Sequence, residues 1–282
     1  MPSYDLHPLS ETFGGRVTGL DLTQPLDDVT RKELVEDLAD RRVLVFPGQD
    51  LDHAQHIAFS ENFGPLDRYP VADYVVSEHP EVLIISNIFR DGRPIGLYDG
   101  DEQEEWHTDY SWKERLSRYS LLYSSVAPSV GGDTIFADAT TAYDDLPDDV
   151  KRQIDGVEAV HSMNHLVETE RTHNPHKKPL SDDEKRRMPD VLHPLVRTHP
   201  VTGRRSLLLG SMIISELVGM SRSQGRALLD ELHQHATAER YQYRHHWEVG
   251  DLVLWDNQAT MHTRTACDRT RHERLLYRTT IM

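Results

Sequence analysis

Cysteine is nearly absent: Cys267 is the single thiol in 282 residues. One thiol cannot close an internal disulfide, so nothing in the chain asks for an oxidising compartment. A chain of this length buries a core without such staples. Long apolar runs are lacking too. No stretch approaches the roughly 20 residues that cross a bilayer. The first residues, Met-Pro-Ser-Tyr-Asp-Leu-His-Pro, carry no basic segment ahead of an apolar one, which is the pattern of a secretory signal. A cytoplasmic location with no membrane partner is the expectation. Positive charge is scarce: 31 Lys and Arg face 47 Asp and Glu, a formal net charge of −16. Such a surface repels phosphate backbones and argues against nucleic-acid partners. It also makes the arginines near the C-terminus a local exception.

What is present reads as many short strands with scattered helices. Apolar spacing predicts helices over 28–40, 52–62, 141–154 and 222–237, the first capped by Asp27 or Asp28. Strands are predicted over 14–21, 43–46, 82–86, 119–126, 134–136, 195–198, 206–209, 250–255 and 275–281. Residues 164–192 are charged and rich in His, Lys, Arg and Pro, and read as a long insertion or mobile loop over a site. The fold class that follows is mainly β with helices: a single domain over 1–282 with a double-stranded β-helix (jelly-roll) core, N-terminal helices and a long middle insertion.

Two segments carry metal-ligand chemistry. In Trp106-His107-Thr108-Asp109, residues i and i+2 of a strand, or of a strand running into a loop, aim at one point. Trp255-Asp256-Asn257-Gln258-Ala259-Thr260-Met261-His262 sets a histidine shortly after another strand. Two imidazoles and one carboxylate on one face of a metal leave positions open, as in non-haem Fe(II) oxygenases. His-x-Asp alone is common by chance, and His161, His165, His193, His199, His245 and His246 compete for the third place. Of these, His199 and the His245-His246 pair read equally well as turn and surface residues.

Trp106-His-Thr-Asp, Gly131-Gly-Asp-Thr134, Trp255-Asp-Asn…His262 and Arg274-x-x-x-Arg278 occur in order. So do Val43-Leu-Val-Phe-Pro-Gly, Ala142-Tyr-Asp-Asp-Leu-Pro and Pro194-Leu-Val-Arg-Thr-His-Pro-Val-Thr-Gly-Arg. Over nearly the whole chain this pattern resembles the taurine dioxygenase and dichlorophenoxyacetate dioxygenase family.

The resemblance implies Fe(II) on His107, Asp109 and His262, with 2-oxoglutarate and O2 as co-substrates. Arg274 and Thr134 match the positions that hold the distal carboxylate of 2-oxoglutarate, a task suited to the guanidinium fork. Arg278, four residues on, matches the arginine facing the anionic end of the primary substrate. Trp255 and Asp256 are expected behind the ligands. Tyr69, Ile95, Tyr98, Tyr110, Trp112, Ser211 and Met212 lie beside segments that wall the substrate in relatives. One departure is Gln258 where the family carries arginine, which puts the charge network there in doubt. The implied reaction hydroxylates a small anionic substrate. An aryloxyalkanoate is favoured, with a taurine-like sulfonate or a non-catalytic 2-oxoglutarate-binding role as alternatives, and a dimer or tetramer is implied for assembly.

Overall fold

The run Val43–Phe46 is buried at all four positions, although alternate side chains of a strand point to opposite faces. The strand is interior to a nine-stranded sheet that is covered on both sides. The structure is a computed structural model that describes residues 3–10, 13–69, 71–98, 100–173 and 178–282. In the sheet, Asp5–Pro8 and Gly15–Thr18 precede Val43–Phe46, followed by Leu252–Asp256, Tyr119–Val126, Leu275–Ile281, His79–Ser86 and Val75–Val76. Leu97–Tyr98 adds to His79–Ser86. The pairings are antiparallel except two: Gly15–Thr18 with Val43–Phe46, and Leu97–Tyr98 with His79–Ser86.

On one face Leu44, Phe46, Leu121, Leu252, Leu254 and Ile281 meet Leu34, Leu38 and Phe59. These come from the helices Asp28–Arg41 and His53–Glu61. Asp27 caps the first by accepting from the N–H groups of Val29 and Thr30, and Asp52 with Gln55 forms a capping box on the second. The opposite face presents Val43, Val45, Leu122, Val253, Trp255 and Leu276 to Phe136. Phe136 belongs to a three-stranded antiparallel sheet in the order Gln242–His245, Thr134–Asp138, Thr260–Arg264. Two sheets thus sandwich one core, and no barrel closes among the described residues. A third apolar cluster joins Ile154, Leu195, Leu207, Leu228, Leu232 and Met261 beneath the helix Arg222–Ala236.

Two expectations need correction. The helix predicted over 141–154 is two helices, Ala139–Asp144 and Asp148–Ile154. Pro147 breaks it, having no N–H and forcing the preceding residue out of the helical region. Residues 164–192, of which 174–177 lie outside the described residues, are not one continuous loop: Met163–His173 and Asp182–Arg187 are helical. Met163, Leu166 and Val167 lie at i, i+3 and i+4; Val167 is buried and the other two pack on the third cluster. Strands at Asp5–Pro8, Glu158–His161, Ile214–Leu217, Gln242–His245 and Thr260–Arg264 were not foreseen. No helix among the described residues is long and apolar enough to cross a membrane.

The sandwich and its helices are tied by a buried ion pair. Arg42 Nη2 donates to Asp138 Oδ2 at 2.7 Å, and Asp138 Oδ1 accepts from the N–H groups of Thr140 and Thr141. Asp138→Ala takes the carboxylate from a buried guanidinium and uncaps a helix. It is expected to cost about 3–5 kcal/mol, read as a lowered midpoint in urea unfolding with an unchanged slope.

Candidate active site

His107 and His262 are partners across an antiparallel bridge. Each backbone N–H donates to the other's carbonyl at 2.9 Å. Directly opposed residues project to the same side, and the two rings stand 4.2 Å apart between centroids. His262 is held in register by Phe136 on its other side. Asp109 is not on a strand. The chain leaves the bridge after His107, and Tyr110 takes a left-handed conformation with φ 57°. Ser117 Oγ donates to the Asp109 carbonyl at 2.9 Å and fixes the turn. One donor atom from each of His107, Asp109 and His262 then falls within 4.8 Å of the others. No other cluster of metal-ligand type occurs among the described residues.

The donor set suits a divalent metal. His107 Nδ1 donates to the Glu105 carbonyl at 2.9 Å, which turns Nε2 toward Asp109. Burial, helped by His107 and Arg278 and opposed by Asp109, pushes the His262 pKa down to about 3, so this imidazole is neutral. Burial would raise the Asp109 pKa, but Arg278 above all, then His262, His107 and the Ser120 hydroxyl, hold it at about 2. Neutral imidazole and ionised carboxylate are the forms that bind metal.

A cleft of about 640 Å³ opens on these residues. His107 and His262 line it together with Thr134, Trp255, Arg274, Arg278 and Met212. Thr134 Oγ1 accepts from Trp247 Nε1 at 3.0 Å, which leaves the hydroxyl hydrogen to donate elsewhere. Arg274 is buried, its Nε donating to the Gly132 carbonyl at 3.1 Å and its N–H to Asn87 Oδ1 at 2.8 Å. The Gly131-Gly132 pair makes this approach feasible. Both have positive φ, and a Cβ on Gly132 would meet Arg274 Cδ at 3.0 Å.

Arg278 faces the cleft but is engaged: Nη1 donates to Asp109 Oδ1 at 2.6 Å. Tyr110 lies behind it, with the guanidinium 5.8 Å from the ring centre. Burial raises the Tyr69 pKa, and Arg278 lowers it, which places Tyr69 on that side too. Tyr69, Ile95, Tyr110 and Trp112 are not among the residues that line the cleft. Ile95 closes a short hairpin onto Ile88, and Trp112 packs against Tyr110 and Lys113. Tyr98 is a lining residue, as are Ile85 and Leu97, which the sequence reading missed. Ser211 is not one; its hydroxyl donates to Glu105.

Behind the ligands, Trp255 packs edge-on to His262 with ring centres 5.1 Å apart. Asp256 faces away. Its Oδ2 accepts from His199 Nε2 at 2.8 Å, while His199 Nδ1 accepts from the N–H groups of Val201 and Thr202. His199 is thus a buried turn residue and not a surface one. His245 is buried as well, against Asp251 and Trp247, whereas His246 is exposed. The arginine missing at Gln258 does not leave this turn without a cation, because the buried Arg197 donates to the Asn257 carbonyl.

Residues 5–280 match the family described as taurine catabolism dioxygenase TauD, TfdA family. The chain is 37% identical to the alpha-ketoglutarate-dependent 2,4-dichlorophenoxyacetate dioxygenase of Burkholderia sp. (strain RASC), over 98% of this chain and 93% of that protein. It is 34% identical to an (S)-phenoxypropionate/alpha-ketoglutarate-dioxygenase of Sphingobium herbicidovorans, over 95% and 92%. Its fold is similar to that of AAD-2 in complex with Mn(II) and N-oxalylglycine, with a TM-score of 0.81, 33% identity and 99% and 96% of the two chains covered. Bridge, cleft and whole-length similarity lead to one conclusion: the chain belongs to the TauD/TfdA family of 2-oxoglutarate-dependent dioxygenases, enzymes of jelly-roll fold.

Proposed function

We propose that this dioxygenase uses Fe(II) on His107, Asp109 and His262 to hydroxylate an aryloxyalkanoate beside the ether oxygen, in the cytoplasm. The observation that carries the reading is the meeting of this triad with Arg274 and Thr134 in one cleft. The choice of substrate rests on similarity to phenoxyacetate and phenoxypropionate dioxygenases over nearly the whole chain.

Bound Fe(II) would supply the redox chemistry that lets O2 react with a 2-oxo acid. The protein's own groups do the rest. Arg274 and the Thr134 hydroxyl hold the distal carboxylate of 2-oxoglutarate. Trp255 and Leu122 wall the inner end of the cleft against water. Arg278, parked on Asp109, is the cation nearest the metal ligands for a substrate carboxylate. In sum, R–O–CH2–COO⁻, 2-oxoglutarate and O2 give R–O–CH(OH)–COO⁻, succinate and CO2. The hydroxylated product is a hemiacetal, which falls apart to the phenol and glyoxylate.

A second reading has a specific basis. The chain is 31% identical to an alpha-ketoglutarate-dependent sulfate ester dioxygenase of Pseudomonas putida over 92% of its length. The same collapse after hydroxylation would then release sulfate or, from a sulfonate such as taurine, sulfite.

O2 uptake and succinate formation with phenoxyacetates, both hands of 2-phenoxypropionate, alkyl sulfates and taurine separate these readings. Phenol release with stimulated succinate is the expected outcome. Stimulation by taurine or a sulfate ester alone would refute the aryloxy assignment. His262→Ala is expected to abolish metal-dependent succinate formation while the far-UV spectrum stays that of the wild type. Arg274→Leu removes one side of a buried charge pairing worth about 2 kcal/mol or more, so KM for 2-oxoglutarate should rise at least about thirty-fold. An unchanged KM would remove Arg274 from that role.

A further inference from the structure

Trp255 Nε1 donates to Asn257 Oδ1 at 2.9 Å, Asn257 Nδ2 donates to Ser120 Oγ at 2.9 Å, and Ser120 Oγ donates to Asp109 Oδ2 at 2.7 Å. All four residues are buried, Asn257 and Ser120 with no exposed surface. The direction of the chain is forced. An indole N–H can only donate, so the amide oxygen of Asn257 must face Trp255 and its nitrogen must face Ser120. The Ser120 oxygen is then an acceptor on that side, and its single hydrogen goes to the carboxylate.

We propose that Asn257 and Ser120 are positioning residues for the metal site, which fix Asp109 as a one-oxygen ligand. The relay occupies Oδ2 from behind, while Oδ1, which accepts from Arg278 Nη1 at 2.6 Å, faces His107, 4.0 Å from its Nε2. A carboxylate free to turn could offer both oxygens to a metal and fill a position that a co-substrate needs. The relay also joins two ligands through one side chain, because its first donor is the indole whose ring packs on His262. Asp256, between Trp255 and Asn257 in sequence, is outside this network and serves His199 instead.

The inference rests on the metal-site reading above, and Mn(II) binding tests the two separately. Free Mn(II) is measured by electron paramagnetic resonance during titration of the apoprotein, with no substrate present. The wild type should bind, and His262→Ala should not; equal binding by both refutes the site and the relay with it. Ser120→Ala is expected to weaken Mn(II) binding about 10- to 100-fold. Asn257→Ala should weaken it less, since the Ser120 hydroxyl survives. The double variant should be no weaker than Ser120→Ala, because groups acting in series do not add. In the Co(II)-loaded protein, Ser120→Ala should shift the visible absorption toward that of a higher coordination number. Should Ser120→Ala not fold, Asn257→Ala carries the same test. Asp256→Asn controls for general loosening and should leave the Mn(II) affinity within about twofold. Wild-type affinity in folded Ser120→Ala, strictly additive losses, or an equal loss in Asp256→Asn would each overturn the relay.

Discussion

Two reciprocal backbone hydrogen bonds between His107 and His262 govern the geometry of everything around them. They make neighbours of residues 155 positions apart in sequence (262 − 107). Loop closure over such a distance costs several kcal/mol of chain entropy, and the sandwich offsets it by burying both faces of the large sheet. The register of His262 against Phe136 is what makes the bridge reproducible. A slip of one residue would turn the imidazole to the opposite face. Setting the two histidines of the candidate metal site on bridged backbone, with only Asp109 in a turn, transfers the rigidity of the core to two of its three side chains.

Charge is distributed with the same economy. The chain is strongly acidic, yet the arginines at the cleft are all bound to something. Arg278 holds Asp109, Arg274 reaches Gly132, and Arg264 donates to the carbonyls of Glu102 and Thr265. Buried guanidinium groups need such partners. An incoming anion therefore competes for cations already oriented by the protein and meets little freedom to be lost on binding.

The site was legible where the chemistry demands particular residue types. His107, Asp109 and His262 converge, and Thr134, Arg274, Arg278 and Met212 face the same cleft. The fold was legible where period and composition agree, as in the helix Asp28–Arg41 and the strand Tyr119–Val126. Legibility ended where partners are distant. Aromatic residues beside the metal motif, Tyr110 and Trp112, look like pocket walls in sequence, but past the left-handed turn at Tyr110 that ring lies against Arg278 and Trp112 packs on Tyr110 and Lys113. Ser120 carries no local signal because its role exists only once Asn257 and Asp109 are brought to it. His199 reads as a surface turn until Asp256 is packed against it.

Trp255 has an optical consequence. Its indole is buried, fixed at Nε1 by Asn257 and stacked edge-on to His262. A paramagnetic ion held by His262 would lie within contact range of the excited ring and quench its emission. The enzyme therefore carries a fluorophore beside its candidate metal site, and loading there would be followed in the native chain without any label.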